Sequence, residues 1–175
     1  MGIYYWTMVR YMITVTDNFL PPQDFKQLQS MLMSEDLPWF WQNTVTRYDE
    51  EKYPYGFQLT HVFYKDDAPQ SGANQYLEKL YNALGVRTLL RSKVNLGPKA
   101  GEIIRHMWHC DFDYDDSKTA ILYLNTCNGY TEFKESGKRV DSVENRLVRF
   151  PCNTLHAGTT CTDDDRRMAI NINYF

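Results

Sequence analysis

The last ten residues, Arg166–Phe175 (RRMAININYF), alternate apolar side chains with polar or small ones. Successive strand side chains point to opposite faces. As a strand, this segment therefore places Met168, Ile170 and Ile172 on one face and Arg167, Ala169, Asn171 and Asn173 on the other. The same kind of unit recurs back to residue 89: LLRSKVNL (89–96), EIIRHMWHCDF (102–112), KTAILYLN (118–125), YTEFKE (130–135), RLVRF (146–150) and NTLHAGTT (153–160). Regularly spaced short strands with Gly, Asn and Asp between them predict an all-β barrel or a double-sheet jelly roll.

Residues 1–88 read differently, as a helical and extended lead-in to this core of 89–175. Pro21-Pro22 followed by QDFKQLQSMLM places Phe25, Leu28, Met31 and Leu32 at helical spacing, with proline tolerated in the first turn. A second helix is predicted over 73–84, where Tyr76, Leu77, Leu80, Tyr81 and Leu84 form one stripe and Gly85 ends it. Between them Phe57–Tyr64 (FQLTHVFY) has the β-branched and aromatic content of a strand. No repeat or Pro/Gly/Ser linker divides the chain, so residues 1–175 are expected to form one domain.

The composition narrows the function classes. The 175 residues are 43% hydrophobic and 15% aromatic, enough to bury a core. Lys+Arg 19 against Asp+Glu 22 gives a net charge of -3, and no basic run offers a footprint for nucleic acid. The apolar start is interrupted by Arg10 and reads as neither signal peptide nor membrane span. Gly2 lacks the Ser or Thr that N-myristoylation needs at position 6, which is Trp6. Cys110, Cys127, Cys152 and Cys161 make no CxxC pair, so reduced thiols in a cytoplasm are expected.

Within 102–112, strand parity puts His109 and Asp111 on one face and Cys110 on the other. An HxD pair is weak evidence alone, because a histidine hydrogen-bonded to a neighbouring aspartate is an ordinary core arrangement. His156, forty-five residues after Asp111, strengthens the metal reading. Two His and one carboxylate hold Fe(II) by one face and leave other positions open, unlike a closed structural zinc site. Asp113 shares the parity of Asp111 and stands as a reserve ligand, whereas His61 and His106 lack a carboxylate two residues on and read as core. Arg167 admits two readings. Facing inward, it needs an anion such as a dicarboxylate cosubstrate, which a guanidinium fork matches bidentately. Facing outward, it joins Arg166 in answering Asp163–Asp165.

In combination, HCD at 109–111, AILYLN at 120–125, NGYTEF at 128–133, RLVRFPCNTLHAG at 146–158 and RMAIN at 167–171 resemble the Fe(II)- and 2-oxoglutarate-dependent oxygenases, specifically their prolyl 4-hydroxylase-like branch. The chain looks most like small stand-alone members encoded by marine bacteriophages, which implies a host cytoplasm. The resemblance covers 89–175 and, more loosely, DNFLPP at 17–22. It implies a mainly β, double-stranded β-helix (jelly roll) with N-terminal helices packed on one sheet. It also implies Fe(II), 2-oxoglutarate and O2 as cofactors, with His109, Asp111 and His156 as iron ligands. Arg167 then takes the distal carboxylate of 2-oxoglutarate, Tyr123 hydrogen-bonds it, Thr131 contributes a hydroxyl, and Asn95 approaches cosubstrate or substrate. Where the family has a glycine pair, this chain has Asn128-Gly129, which leaves Thr131 less firmly placed. The implied reaction is hydroxylation of a C–H bond, with succinate and CO2 released, on a proline-containing peptide or protein. The aromatic stretch 39–57 could cover such a substrate or simply pack. A nucleobase-directed oxygenase and a non-catalytic jelly-roll binding module are the rival classes, and the acidic balance opposes the first.

Overall fold

The computed structural model describes residues 12–46 and 56–175. In chain order these form β1 (Thr14–Thr16), α1 (Pro22–Leu32), β2 (Phe40–Gln42), β3 (Gln58–Lys65), β4 (Ala68–Pro69), a 3-10 turn (Gly72–Leu77) and α2 (Glu78–Leu84). There follow β5 (Leu89–Pro98), β6 (Lys118–Tyr123), β7 (Tyr130–Phe133), β8 (Arg139–Asp141), β9 (Leu147–Pro151), β10 (His156–Gly158) and β11 (Arg166–Tyr174). Two antiparallel sheets result: a large one in the order β1-β9-β6-β11-β5-β3-β2, with β4 on β3, and a small one in the order β10-β7-β8.

β11 is central because both of its faces are buried, each for a different purpose. Met168, Ile170, Ile172 and Tyr174 pack with Phe25, Leu28 and Leu32 of α1 and Leu80 and Leu84 of α2, so both helices cover one face of the large sheet. Ala169 faces the small sheet, in a second core with Tyr123, Phe133, Val140, Val148 and Phe150. Each fully buried Leu or Phe contributes about 1.5–3 kcal/mol, and the cavity opens between the sheets where polar residues replace them.

Register fixes what lies beside what on that inner face. β11 pairs with β5 and β6 so that Asn173 is flanked by Arg91 and Thr119, Asn171 by Lys93 and Ile121, and Ala169 by Asn95 and Tyr123. Arg167 is opposite Gly97. The six steps of strand from Arg167 to Asn173 span about 20 Å.

Two sequence expectations are corrected. Residues 102–112 do not form a strand; they run beside β10 through isolated bridges, Arg105 to Thr159 and His109 to His156. The partner numbers slip by one between these bridges, which interrupts the ladder. The second helix begins as the 3-10 turn, capped by Ser71 accepting from Ala73 N at 3.1 Å. Its three residues per turn rotate the stripe, leaving Tyr76 exposed while Leu77, Leu80 and Leu84 are buried. Gly85 ends α2 in the left-handed conformation, φ 69°.

Candidate metal centre

His109 and Asp111 come from the segment beside β10, and His156 is the first residue of β10. One ligand atom from each lies within 4.8 Å of the others. The two imidazole centroids are 4.4 Å apart. His109 Nδ1 lies 3.2 Å from Met107 O, and His156 Nδ1 lies 2.9 Å from Thr154 O. A carbonyl only accepts, so each Nδ1 is the donor and Nε2 is the nitrogen left to face a cation. Burial, reinforced by His156 and opposed by Asp111, lowers His109 to a pKa of about 4. His109 is therefore neutral at neutral pH, as a metal ligand must be.

Asp111 is anchored at both oxygens. Oδ1 accepts from Arg91 at 2.6 Å, and Oδ2 accepts from Thr119 at 2.9 Å, Asn173 at 3.0 Å and Asn171 at 3.2 Å. Burial favours the protonated acid, but positive charge on His156 and His109 when they are protonated, the Arg91 guanidinium and the Asn171 amide together outweigh it and hold the carboxyl well below the usual range. Oδ2 is also 3.9 Å from His156 Nε2. Two imidazoles and one anionic oxygen facing a common point fit a divalent cation that prefers nitrogen and oxygen donors.

A cavity of about 100 Å³ leads from these residues to Arg167. Arg167 donates from Nε to Ser142 Oγ at 2.7 Å and from a terminal nitrogen to Thr131 Oγ1 at 3.1 Å. These partners are neutral hydroxyls, and among the described residues no carboxylate forms an ion pair with it. A half-buried guanidinium without a counter-ion is a ready site for an anion. Two glycines make room for it. A Cβ on Gly129 would meet Arg167 Cδ at 2.6 Å, and one on Gly158 would meet a terminal Arg167 nitrogen at 3.2 Å. Gly129 of the Asn128-Gly129 departure thus supplies the space where Arg167 passes.

The other expected residues have distinct places. Thr131 lines the cavity. Tyr123 stands behind it, fully buried, its hydroxyl donating to Thr131 Oγ1 at 2.8 Å and its ring 5.4 Å from the Arg167 guanidinium carbon. Asn95 lines the cavity with a buried Oδ1 that lacks a hydrogen-bond partner. Arg166 is exposed, as is Asp113, which stays outside the ligand cluster. His61 is a core residue held to Pro38 O at 2.8 Å, whereas His106 lies on the cavity wall. Of the stretch 39–57, residues 47–55 lie outside the described residues; at its ends Trp41 stacks on Phe57 at 4.3 Å. Sequence reasoning missed Arg91, Thr119 and Ser142. Arg91 and Thr119 had a signal, since alternation along LLRSKVNL and KTAILYLN sets them on the faces of Asn95 and Tyr123; Ser142 had none.

No protein-family model and no curated protein matches this chain. Solved structures do. A Pseudomonas putida prolyl-4-hydroxylase superposes with a TM-score of 0.65 at 18% identity, covering 95% of this chain and 94% of that one. The chain has the fold of the 2OG-Fe(II) oxygenases. A Trichoplax adhaerens prolyl hydroxylase, solved with a hypoxia inducible factor peptide fragment, gives 0.64 at 18% identity over 93% of this chain and 83% of that one. The viral collagen prolyl hydroxylase of Paramecium Bursaria Chlorella virus-1, solved with 2OG, gives 0.57 at 15% identity over 92% and 94%. No helix among the described residues is long and apolar enough to cross a membrane.

Proposed function

We propose that this chain is an Fe(II)- and 2-oxoglutarate-dependent dioxygenase that hydroxylates a C–H bond, with a prolyl residue of a peptide or protein as its substrate. The observation that carries the reading is the pairing, in one cavity, of a three-ligand cluster open on one side with an arginine that has no carboxylate partner. His109, Asp111 and His156 would hold the metal. When bound, iron with 2-oxoglutarate and dioxygen supplies the oxidising chemistry, releasing succinate and CO2.

The chain's own residues orient and protect. Arg167 receives the distal carboxylate of the cosubstrate through its fork, with the Thr131 hydroxyl beside it. Tyr123 acts behind them: its hydroxyl on Thr131 and its ring against the guanidinium hold both in place. Asn95 offers its amide toward cosubstrate or substrate. Phe133 and Phe150, whose rings pack on His156 at 6.3 and 4.7 Å, keep water from the inner side of that ligand. The neighbouring folds solved as prolyl hydroxylases, one with a peptide bound, support a peptide substrate.

The test is an anaerobic titration of Fe(II)-loaded protein with 2-oxoglutarate, read by the visible charge-transfer band, followed by aerobic turnover with proline-containing peptides. The expected result is a band, succinate, and one added oxygen atom on the peptide by mass spectrometry. Succinate with no peptide oxidised would remove the prolyl substrate and keep the oxygenase. Neither band nor succinate from folded, metal-loaded protein would remove the oxygenase itself.

A further inference from the structure

Behind Asp111 lies an arrangement that ligand binding alone does not require. Arg91, Asn173 and Thr119 form one row across β5, β11 and β6, and the Asp111 carboxylate sits on that row. The Arg91–Asp111 pair is 2.6 Å long, its side chains 19% and 5% exposed. Arg91 is itself fixed, with Nε donating to Asn173 Oδ1 at 3.0 Å and its guanidinium carbon 5.1 Å from the Phe112 ring centre.

The two carboxylate oxygens are thereby made different. Oδ1 takes the guanidinium, while Oδ2, the oxygen nearer His156 Nε2, takes only neutral donors. Burying an ion pair is costly, and a neutral donor would satisfy Oδ1 at less expense. What the guanidinium adds is a fixed positive charge in a locked orientation. Next to a metal centre this has two effects. It withholds Oδ1, so Asp111 gives the metal one oxygen and not two, and it repels the incoming cation.

We propose that Arg91 is a positioning residue that keeps Asp111 a single-oxygen ligand, holding a coordination position open at the expense of metal affinity. The proposal rests on reading His109, Asp111 and His156 as a metal centre. It separates from a merely structural role by sign. If Arg91 only steadied Asp111, removing it would loosen metal binding. As a guard on Oδ1, its removal tightens metal binding and weakens binding of the bidentate cosubstrate.

The experiment uses Co(II) as the probe, titrated into metal-free full-length wild type, Arg91→Met and Arg91→Gln, with visible d–d absorption reporting affinity and coordination. Each form is then titrated with 2-oxoglutarate. Circular dichroism establishes that each variant is folded. The expected result is Co(II) binding tighter than wild type by about tenfold in Arg91→Met, with an altered d–d spectrum and weaker cosubstrate binding. Arg91→Gln keeps an N–H for Oδ1 and loses the charge, so it also binds Co(II) more tightly; it carries the test if the Met variant does not fold. Equal or weaker Co(II) binding by a folded neutral variant overturns the proposal. Wild type that takes up no Co(II) overturns the metal-centre reading beneath it, a separable result.

Discussion

Gly129→Ala tests how the cationic end of the cavity is built, because it adds one carbon where two fixed groups meet. The new Cβ would lie 2.6 Å from Arg167 Cδ and 2.8 Å from Thr160 O. Ordinary carbon contacts are about 3.5–4.0 Å, so both neighbours are too close, and the Thr160 oxygen belongs to the backbone. Overpacking of this kind costs about 1–3 kcal/mol. The lower entropy of an unfolded Ala chain returns about 0.4–1 kcal/mol, leaving a net loss of roughly 1–2 kcal/mol and a Tm lower by roughly 2–8 °C in a chain of this size. The larger consequence is at the guanidinium. Arg167 must swing away at Cδ, moving Nε off Ser142 and the terminal nitrogen off Thr131. A hydrogen bond to a charged group is worth about 1.5–3 kcal/mol, so 2-oxoglutarate affinity should fall about 10- to 100-fold. Calorimetric titration of 2-oxoglutarate into Mn(II)-loaded protein measures it. Gly158→Ala is the control: its Cβ would meet only a terminal Arg167 nitrogen, at 3.2 Å, which can give way, so its effect should be much smaller. Wild-type affinity and wild-type Tm in Gly129→Ala would refute the claim that this glycine makes room for the arginine.

Three further outcomes are expected. Arg167→Lys keeps the charge but loses the fork, so half-saturation should need about tenfold or more 2-oxoglutarate with metal affinity unchanged, as competition binding would read. His109 is held neutral to a pKa of about 4 in the fold, below the unfolded value of 6.5. The unfolded chain thus binds the extra proton between these values, and metal-free stability should fall as pH drops from 6.5 toward 4, by about 3 kcal/mol for this group. Urea melts across that range should show the slope, shallower in His109→Asn. Asn145 sits at φ 60° and hydrogen-bonds both the N–H and the C=O of Leu20, at 3.0 and 2.9 Å. Asn145→Ala orphans both buried groups and keeps the left-handed strain, so chemical denaturation should report a loss of about 2–4 kcal/mol.

The strands that could be read were those with one apolar face. β11 announced itself because the helices cover Met168, Ile170 and Ile172 while the opposite face lines a polar cavity, giving a clean period of two. α1 was legible for the same reason, with Phe25, Leu28 and Leu32 buried on one stripe. β1, β2, β4 and β8 were not, being two or three residues long and too short to show a period. Segment 102–112 had strand composition without a strand ladder, because β10 offers only three residues to pair with.

His109 and Asp111 were singled out by HxD parity, His156 as a second histidine and Arg167 by strand parity, and the family resemblance chose between the readings each left open. The environment of Asp111 is not local in sequence. Alternation along β5 puts Arg91, Lys93 and Asn95 on one face, yet it cannot say which of them stands beside Asn173, since a two-residue slip of register keeps the face and changes the neighbour. Only the observed pairing, Asn173 with Arg91 on one side and Thr119 on the other, selects Arg91. The carboxylate then arrives from a segment with no period at all. The inequality of the two Asp111 oxygens therefore arises from three strands and a loop acting together. A variant that shifted the β5 register would abolish it without changing His109, Asp111 or His156.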